Sequence, residues 1–277
     1  MSTRARPLAA LAVALAAALS ACSSLQQLEI PSLEGLARIG QQALPIDPVK
    51  EREIGFGIAA TVAGRYRLVQ NDALTRYVNL VGQAVAQQSV RRGEVSFRFG
   101  VLDTDDVNAW AAPGGYVLLT RGALALMESE AELAGVLAHE LAHVDQKHVI
   151  EEIRRSAVFQ QASDETELEG ALLDQISEMG TTLLFTGLSR GDELQADSLG
   201  LMYAAAAGYR TDGLLQFLRH LQGAEGTGST GLRELTVTHP PTADRLLAVE
   251  RQLARSGAVQ GADGGARFRG AMGSAGL

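Results

Sequence analysis

Between Gly135 and His148 the chain reads GVLAHELAHVDQKH, three histidines and one glutamate set among alanines, leucines and valines. A helix turns by about 100° per residue, so Leu133, Leu137, Leu141 and Val144 fall on one stripe that belongs in a core. His139 and His143 stand one turn apart, about 40° from each other and away from that stripe, and so project together. Glu140 lies beside them. Two neutral imidazoles in this arrangement bind Zn²⁺ at ~2.0 Å, and the adjacent glutamate reaches a metal-bound water as general base. The same geometry puts His148 about 180° round, on the apolar stripe. That position suits packing or a structural hydrogen bond better than ligation.

A zinc that does chemistry needs a third protein ligand and one open position. His220 and His239 are the other histidines. Glu151 and Glu152 follow too closely on the same helix, and Glu165, Glu167 and Glu169 in ASDETELEG read as solvated charge. Glu193 is placed differently. In SRGDELQADSLGLMYAAAAG a helical face carries Glu193, Asp197, Gly200 and Ala204, acidic at one end and small at the other. Small residues let this second helix approach the first closely enough to present Glu193 to the metal. Asp197, one turn on, suits a hydrogen bond to the far ring nitrogen of a bound histidine. The alternative on these residues alone is a solvated Glu/Asp pair with Arg190 as its partner.

The remaining sequence sets the frame. Its 277 residues are 46% apolar with a net charge of −8, enough for one sizeable core and a poor match to nucleic acid as partner. The apolar run from Leu8 to Leu19 behind two arginines is shorter than a membrane span and reads as a signal peptide, residues 1–21. Residues 22–45 are polar and broken by prolines, a tether. A main domain is expected over 46–255, and a glycine-rich tail without structure over 256–277. Helical periods at Pro48–Tyr66, behind Asn71, in LLQFLRHL and in TADRLLAVERQLA surround strand-like EVSFRFGVLD and GGYVLLT. These predict an α+β fold, predominantly helical, with two to four strands. NAWAAPGGYVLL reads as an irregular turn and then a strand. Gly114 and Gly115 would leave backbone free at a strand edge for an extended peptide, and Asn108 would hold either that loop or the peptide backbone. An ordinary turn explains them as well.

Several stretches together carry a family resemblance. HELAH, with ELQAD some fifty residues later, VNAWAAPGGYVLLTRGAL before it and THPPTADR near the end, resembles the HtpX-like family of gluzincin metalloproteases. The likeness runs from about Glu51 to Arg245. It implies a zincin-like metallopeptidase domain with a small sheet beside the HExxH helix. His139, His143 and Glu193 would be the ligands of one Zn²⁺ per subunit, Glu140 the general base, and Asp197 the partner of a ligand. It also implies a histidine near the metal in the proline-stiffened loop TVTHPP. His239 there would donate to the oxyanion formed on the scissile carbonyl, or sit in the open metal position at rest.

Leu19-Ser20-Ala21-Cys22 resembles a bacterial lipobox, and Cys22 is the single cysteine of the chain. Acylation there would tether the body to a membrane face. The chain is thus similar to the periplasmic lipoprotein members of the BepA and LoiP type, anchored to the outer membrane. The resemblance implies an endopeptidase whose partners are protein or peptide substrates, unfolded envelope proteins among them. A zinc-stabilised chaperone or assembly factor with latent cleavage is the alternative.

Overall fold

The computed structural model describes residues 46–156, 171–226, 230–239, 242–257 and 259–277. The expected signal peptide and tether, Cys22, and the acidic run with Glu165, Glu167 and Glu169 lie outside the described residues.

Asp47 starts helix α1 (Pro48–Tyr66), its carboxylate accepting from the Val49 and Lys50 amides, with Pro48 in the first turn where its missing N–H costs nothing. Asn71 caps α2 (Asp72–Ala86) by accepting from Leu74 N, and Leu74, Val78, Val81 and Val85 are buried at the predicted spacing. Three strands follow: β1 (Arg98–Leu102), β2 (Ala109–Ala112) and β3 (Tyr116–Thr120). The sheet order is β1-β3-β2, with β1 parallel to β3 and β2 antiparallel to it, Trp110 opposite Leu118. β2 occupies the stretch read as an irregular turn. All four of its residues are buried, so it shows no alternation to read.

The turn from β2 to β3 corrects the expectation for Gly114 and Gly115. Both have left-handed φ, 71° and 95°, and both are buried. A Cβ on Gly114 would sit 2.6 Å from the Arg52 Cα of α1, and one on Gly115 would sit 2.5 Å from Val95 Cγ1. They are glycines because α1 closes over Gly114 and the segment Val95–Phe97 over Gly115, not because they offer a free edge. Glu51 of α1 fastens this closure, accepting from Gly114 N at 3.2 Å and from both Arg91 Nη atoms at 2.8 and 2.7 Å.

After α3 (Arg121–Leu126) comes α4 (Glu130–Asp145), the helix of the HELAH motif. Ser129 accepts from Glu132 N while its hydroxyl donates to Glu132 Oε1 at 3.1 Å, a reciprocal cap. Every residue from Glu130 to Asp145 is buried, so the expected apolar stripe is one side of a helix that has no solvent face. The helix stops at Asp145. Lys147 takes a left-handed conformation, φ 56°, and a new helix α5 (His148–Arg155) starts. His148 therefore does not lie 180° round a continuous helix.

The remaining helices are α6 (Ala171–Thr186), α7 (Arg190–Ala206), α8 (Gly213–Gly226), α9 (Arg233–Thr238), α10 (Thr242–Ser256) and α11 (Gly265–Ala275). α7 lies along α4 with its small face inward. A Cβ on Gly200 would stand 3.0 Å from the backbone N of His139, so the close approach expected from the sequence is present.

α11 overturns the unstructured tail. Phe268 and Met272, one turn apart, are buried in the main core, 1% and 6% exposed. Arg267 donates to both oxygens of Glu130, the first residue of α4, and Tyr77 and Tyr209 donate to the same carboxylate. Glycine-rich composition hid a helix that rests on burial rather than on propensity. Phe268→Ala is expected to cost about 3–5 kcal/mol, read as a lowered midpoint in urea unfolding; an unshifted midpoint would restore the unstructured reading.

Candidate metal centre

The close α4–α7 contact brings Glu193 to the two histidines. His139 Nε2 lies 3.1 Å from His143 Nε2 and 3.5 Å from Glu193 Oε2, while His143 Nε2 lies 3.4 Å from Glu193 Oε1. All three side chains are buried, and their ligand atoms fall within 4.8 Å of one another. A tetrahedral ion with ligands at 2.0–2.1 Å has ligand–ligand edges of roughly 3.3 Å. The triangle has that size.

The outer contacts fix the chemistry of the donors. His139 Nδ1 is 2.9 Å from Asp197 Oδ1. Asp197 is a carboxylate, because Arg245 donates to it through Nε at 2.9 Å and Nη2 at 2.6 Å; burial pushes its carboxyl up, but the guanidinium and the His139 ring hold it well below the usual range. The proton of His139 thus sits on Nδ1, leaving the Nε2 lone pair free. His143 turns its own Nδ1 to His148 Nδ1 at 2.9 Å, and its Nε2 faces the same point. Two buried ring nitrogens 3.1 Å apart need a proton or a cation between them. A proton is one answer: burial and Arg245 oppose it, but the Asp197 and Glu193 carboxylates raise His139 to about 9, whereas burial holds His143 well below the ordinary imidazole value. A divalent cation is the answer that uses all three donors, so the residues fit a metal.

Glu140 is 3% exposed, and burial raises its carboxyl. It borders two cavities. One, about 20 Å³, is lined by Asn108, Val136, Leu214, Phe217 and Leu221, and the other by Trp110, Ala111, Leu184, Leu188 and Thr238. His239 borders both, its Nδ1 2.7 Å from Glu193 Oε2 and its ring centroid 5.8 Å from that of His139. β2, one of the two edge strands, passes along both cavities. At its start Asn108 Oδ1 accepts from Ala109 N, while the buried Nδ2 has no partner among the described residues.

Of the sequence-derived candidates, His139, Glu140, His143, Glu193, Asp197, His239 and Asn108 therefore converge. Gly114 and Gly115 do not, being packed under α1 and against Val95–Phe97 respectively. Cys22 lies outside the described residues. The solvated alternative for Glu193 and Asp197 fails, since each is 1% exposed and Arg190 pairs instead with Asp244 at 2.9 Å. Two participants escaped the sequence reading. Arg245 shares the inward face of α10 with Val249, and a charge on a core face was the available signal. α6 supplies Leu183 and Leu184 to the second cavity and accepts the Trp110 Nε1 hydrogen bond at Leu184 O.

Arg245→Met would strip the buried Asp197 carboxylate of its charged partner and leave it the His139 ring alone. The expected loss is about 3–5 kcal/mol, and adding Asp197→Asn should return part of it in the same unfolding assay. Equal stability of Arg245→Met and the wild type would contradict the pairing.

Residues 72–253 match peptidase family M48, a span that contains every converging residue. The beta-barrel assembly-enhancing protease of Escherichia coli (strain K12) is 26% identical over 211 residues, covering 71% of this chain and 42% of that protein. The mitochondrial metalloendopeptidase OMA1 of Schizosaccharomyces pombe is 31% identical over 183 residues, 65% of this chain and 53% of that protein. Metalloprotease YcaL of Escherichia coli (strain K12) is 27% identical over 161 residues, 56% and 62% respectively. The chain spans less than half the length of the beta-barrel assembly-enhancing proteases it matches. With two thirds of its sequence inside the family match and the metal-sized triangle at the centre of that match, the chain belongs to peptidase family M48 and carries a metallopeptidase domain.

Proposed function

We propose that the chain is a zinc-dependent endopeptidase with His139, His143 and Glu193 as the ligands of one Zn²⁺ per subunit. The observation that carries this is the buried triangle of donors, of tetrahedral size, with Glu140 beside it at the edge of both cavities. Zinc with one open position supplies a Lewis acid and an acidified water. Glu140 accepts the water proton and delivers it to the leaving amine. His239 donates to the oxyanion as it forms, where a placed donor acts most strongly. An extended substrate lies along β2, the edge strand that borders both cavities, by main-chain hydrogen bonds. The free Asn108 Nδ2 takes a substrate carbonyl, and the apolar cavity of Val136, Leu214 and Phe217 takes a neighbouring side chain.

Misfolded or misassembled envelope proteins are the proposed substrates, at the periplasmic face of the outer membrane with Cys22 lipidated. The signal-like start, the lipobox-like tetrapeptide and the likeness to proteins named beta-barrel assembly-enhancing protease support that setting. Among the described residues no helix is long and apolar enough to cross a membrane. The catalytic domain is proposed to run from residue 46 through α11.

A latent assembly factor is the second reading, favoured by His239 resting on Glu193 and by the small cavity. The mature chain is expected to cleave casein, to stop when zinc is chelated and to resume when zinc is returned. Absence of cleavage under zinc saturation would favour the latent reading. Asn108→Asp keeps the acceptor but loses the donor, and should lower kcat/KM roughly ten-fold; an unchanged kcat/KM would remove Asn108 from the substrate path.

A further inference from the structure

The third histidine of GVLAHELAHVDQKH has no part in the reaction above, yet it is buried, 4% exposed, against a proposed ligand. Its Nδ1 is 2.9 Å from His143 Nδ1, with the rings 5.0 Å apart and crossed at 74°. Two ring nitrogens at that distance are one donor and one acceptor.

The direction can be read from the outside inward. Gln195 Nε2 donates to Gln146 Oε1 at 3.2 Å, which turns Gln195 Oε1 toward His148 Nε2 at 3.0 Å. Asp192 Oδ1, 3.6 Å from the same nitrogen, is also an acceptor. His148 Nε2 therefore carries the hydrogen. In the neutral ring its Nδ1 then accepts, and the hydrogen between the two rings belongs to His143 Nδ1. His143 Nε2 is left bare, pointing at His139 Nε2 and Glu193.

Resting on the reading of His143 as a metal ligand, we propose that His148 is a positioning residue that sets the ligating tautomer of His143 through a relay of hydrogen bonds, His143 to His148 to Gln195, oriented by Gln146. The two ligands are then held by unlike means. His139 leans directly on a carboxylate, Asp197 paired with Arg245, and His143 on the ring of His148, with Gln195 and the Asp192 carboxylate beyond it. A ring rather than a carboxylate directly against His143 suits a site that already buries the carboxyl groups of Glu140, Glu193 and Asp197, where another carboxylate in contact would add repulsion. The backbone is shaped for it. A continuous helix would carry His148 to the far side, and the left-handed turn at Lys147, a residue with no glycine's freedom, brings the ring back onto His143.

The test uses the full chain with ¹⁵N-labelled histidine and zinc as the probe. In the zinc-free protein the ¹⁵N shifts should show His143 with its hydrogen on Nδ1, and His148→Phe, which keeps a buried ring but removes the acceptor, should mix the tautomers. Zinc affinity by chelator competition should fall 10–100-fold in His148→Phe. Gln195→Met, at an exposed position that the fold does not need, should shift both readouts the same way by less. Should His148→Phe fail to fold, Gln195→Met decides alone. An unchanged tautomer with zinc affinity within two-fold of wild type would overturn the proposal. The control His143→Ala separates it from the metal reading: tight zinc binding in that variant would refute ligation by His143, while the zinc-free spectra would still decide the relay.

Discussion

Glu193→Ala is expected to purify essentially without zinc, where the wild type holds about one ion per chain. The triangle loses its charged corner, and two imidazoles alone make an incomplete tetrahedral site. The loss of affinity should exceed the 10–100-fold that a change outside the ligand set produces. Stability should become insensitive to zinc as well. An ion that binds only the folded chain stabilises it in proportion to the logarithm of its saturation, and a variant with no site cannot respond. Zinc content by atomic emission and thermal unfolding with and without added zinc are the two measurements. Equal zinc content in variant and wild type would remove Glu193 from the ligand set. The result is also separable from misfolding, because His139, His143 and the Asp197–Arg245 pair remain to hold the α4–α7 contact.

Glu140→Gln should give the opposite dissociation, zinc retained and cleavage lost. Glutamine keeps the shape and size of the side chain, and Glu140 is outside the cluster that can hold the ion. What disappears is a group able to take a proton from water and return it to the amine. General acid–base catalysis contributes about 10²–10⁴-fold, and kcat/KM on casein or a peptide should fall at least that far. Burial raises the Glu140 carboxyl, as a group that must both accept and release a proton requires. Full cleavage by the purified, zinc-loaded variant would take the base role from Glu140. Rescue of a deletion strain by the same variant would instead favour binding over cleavage as the working activity.

The parts of the fold that could be read from the sequence were those in which chemistry and period coincide. His139, Glu140 and His143 lie at helical spacing, and Glu193, Asp197 and Gly200 repeat that spacing on a second helix whose small face is required by the approach to His139 N. What could not be read had lost its pattern to burial or to backbone conformation. β2 is covered on both faces, so alternation is absent. The break after α4 is made by Lys147, a left-handed residue with neither glycine nor asparagine to announce it, and the error in placing His148 follows from that single dihedral. α11 has only Phe268 and Met272 to mark its buried face among glycines and alanines. Arg245 was hidden by the rule that charges face water, and it breaks that rule because Asp197 is waiting inside.

The clamp of α11 on α4 bears on when the peptidase comes into being. Glu130 begins the helix of the HELAH motif, and the guanidinium that holds it lies 137 residues further along the chain. Synthesis at about 5–20 residues per second means that the helix is made many seconds before its clamp. Until Phe268 and Arg267 have emerged, the N-terminal end of α4 lacks its apolar cover and its ionic partner. The helix that bears His139 and His143 is thus finished at its N-terminal end by residues made long after it.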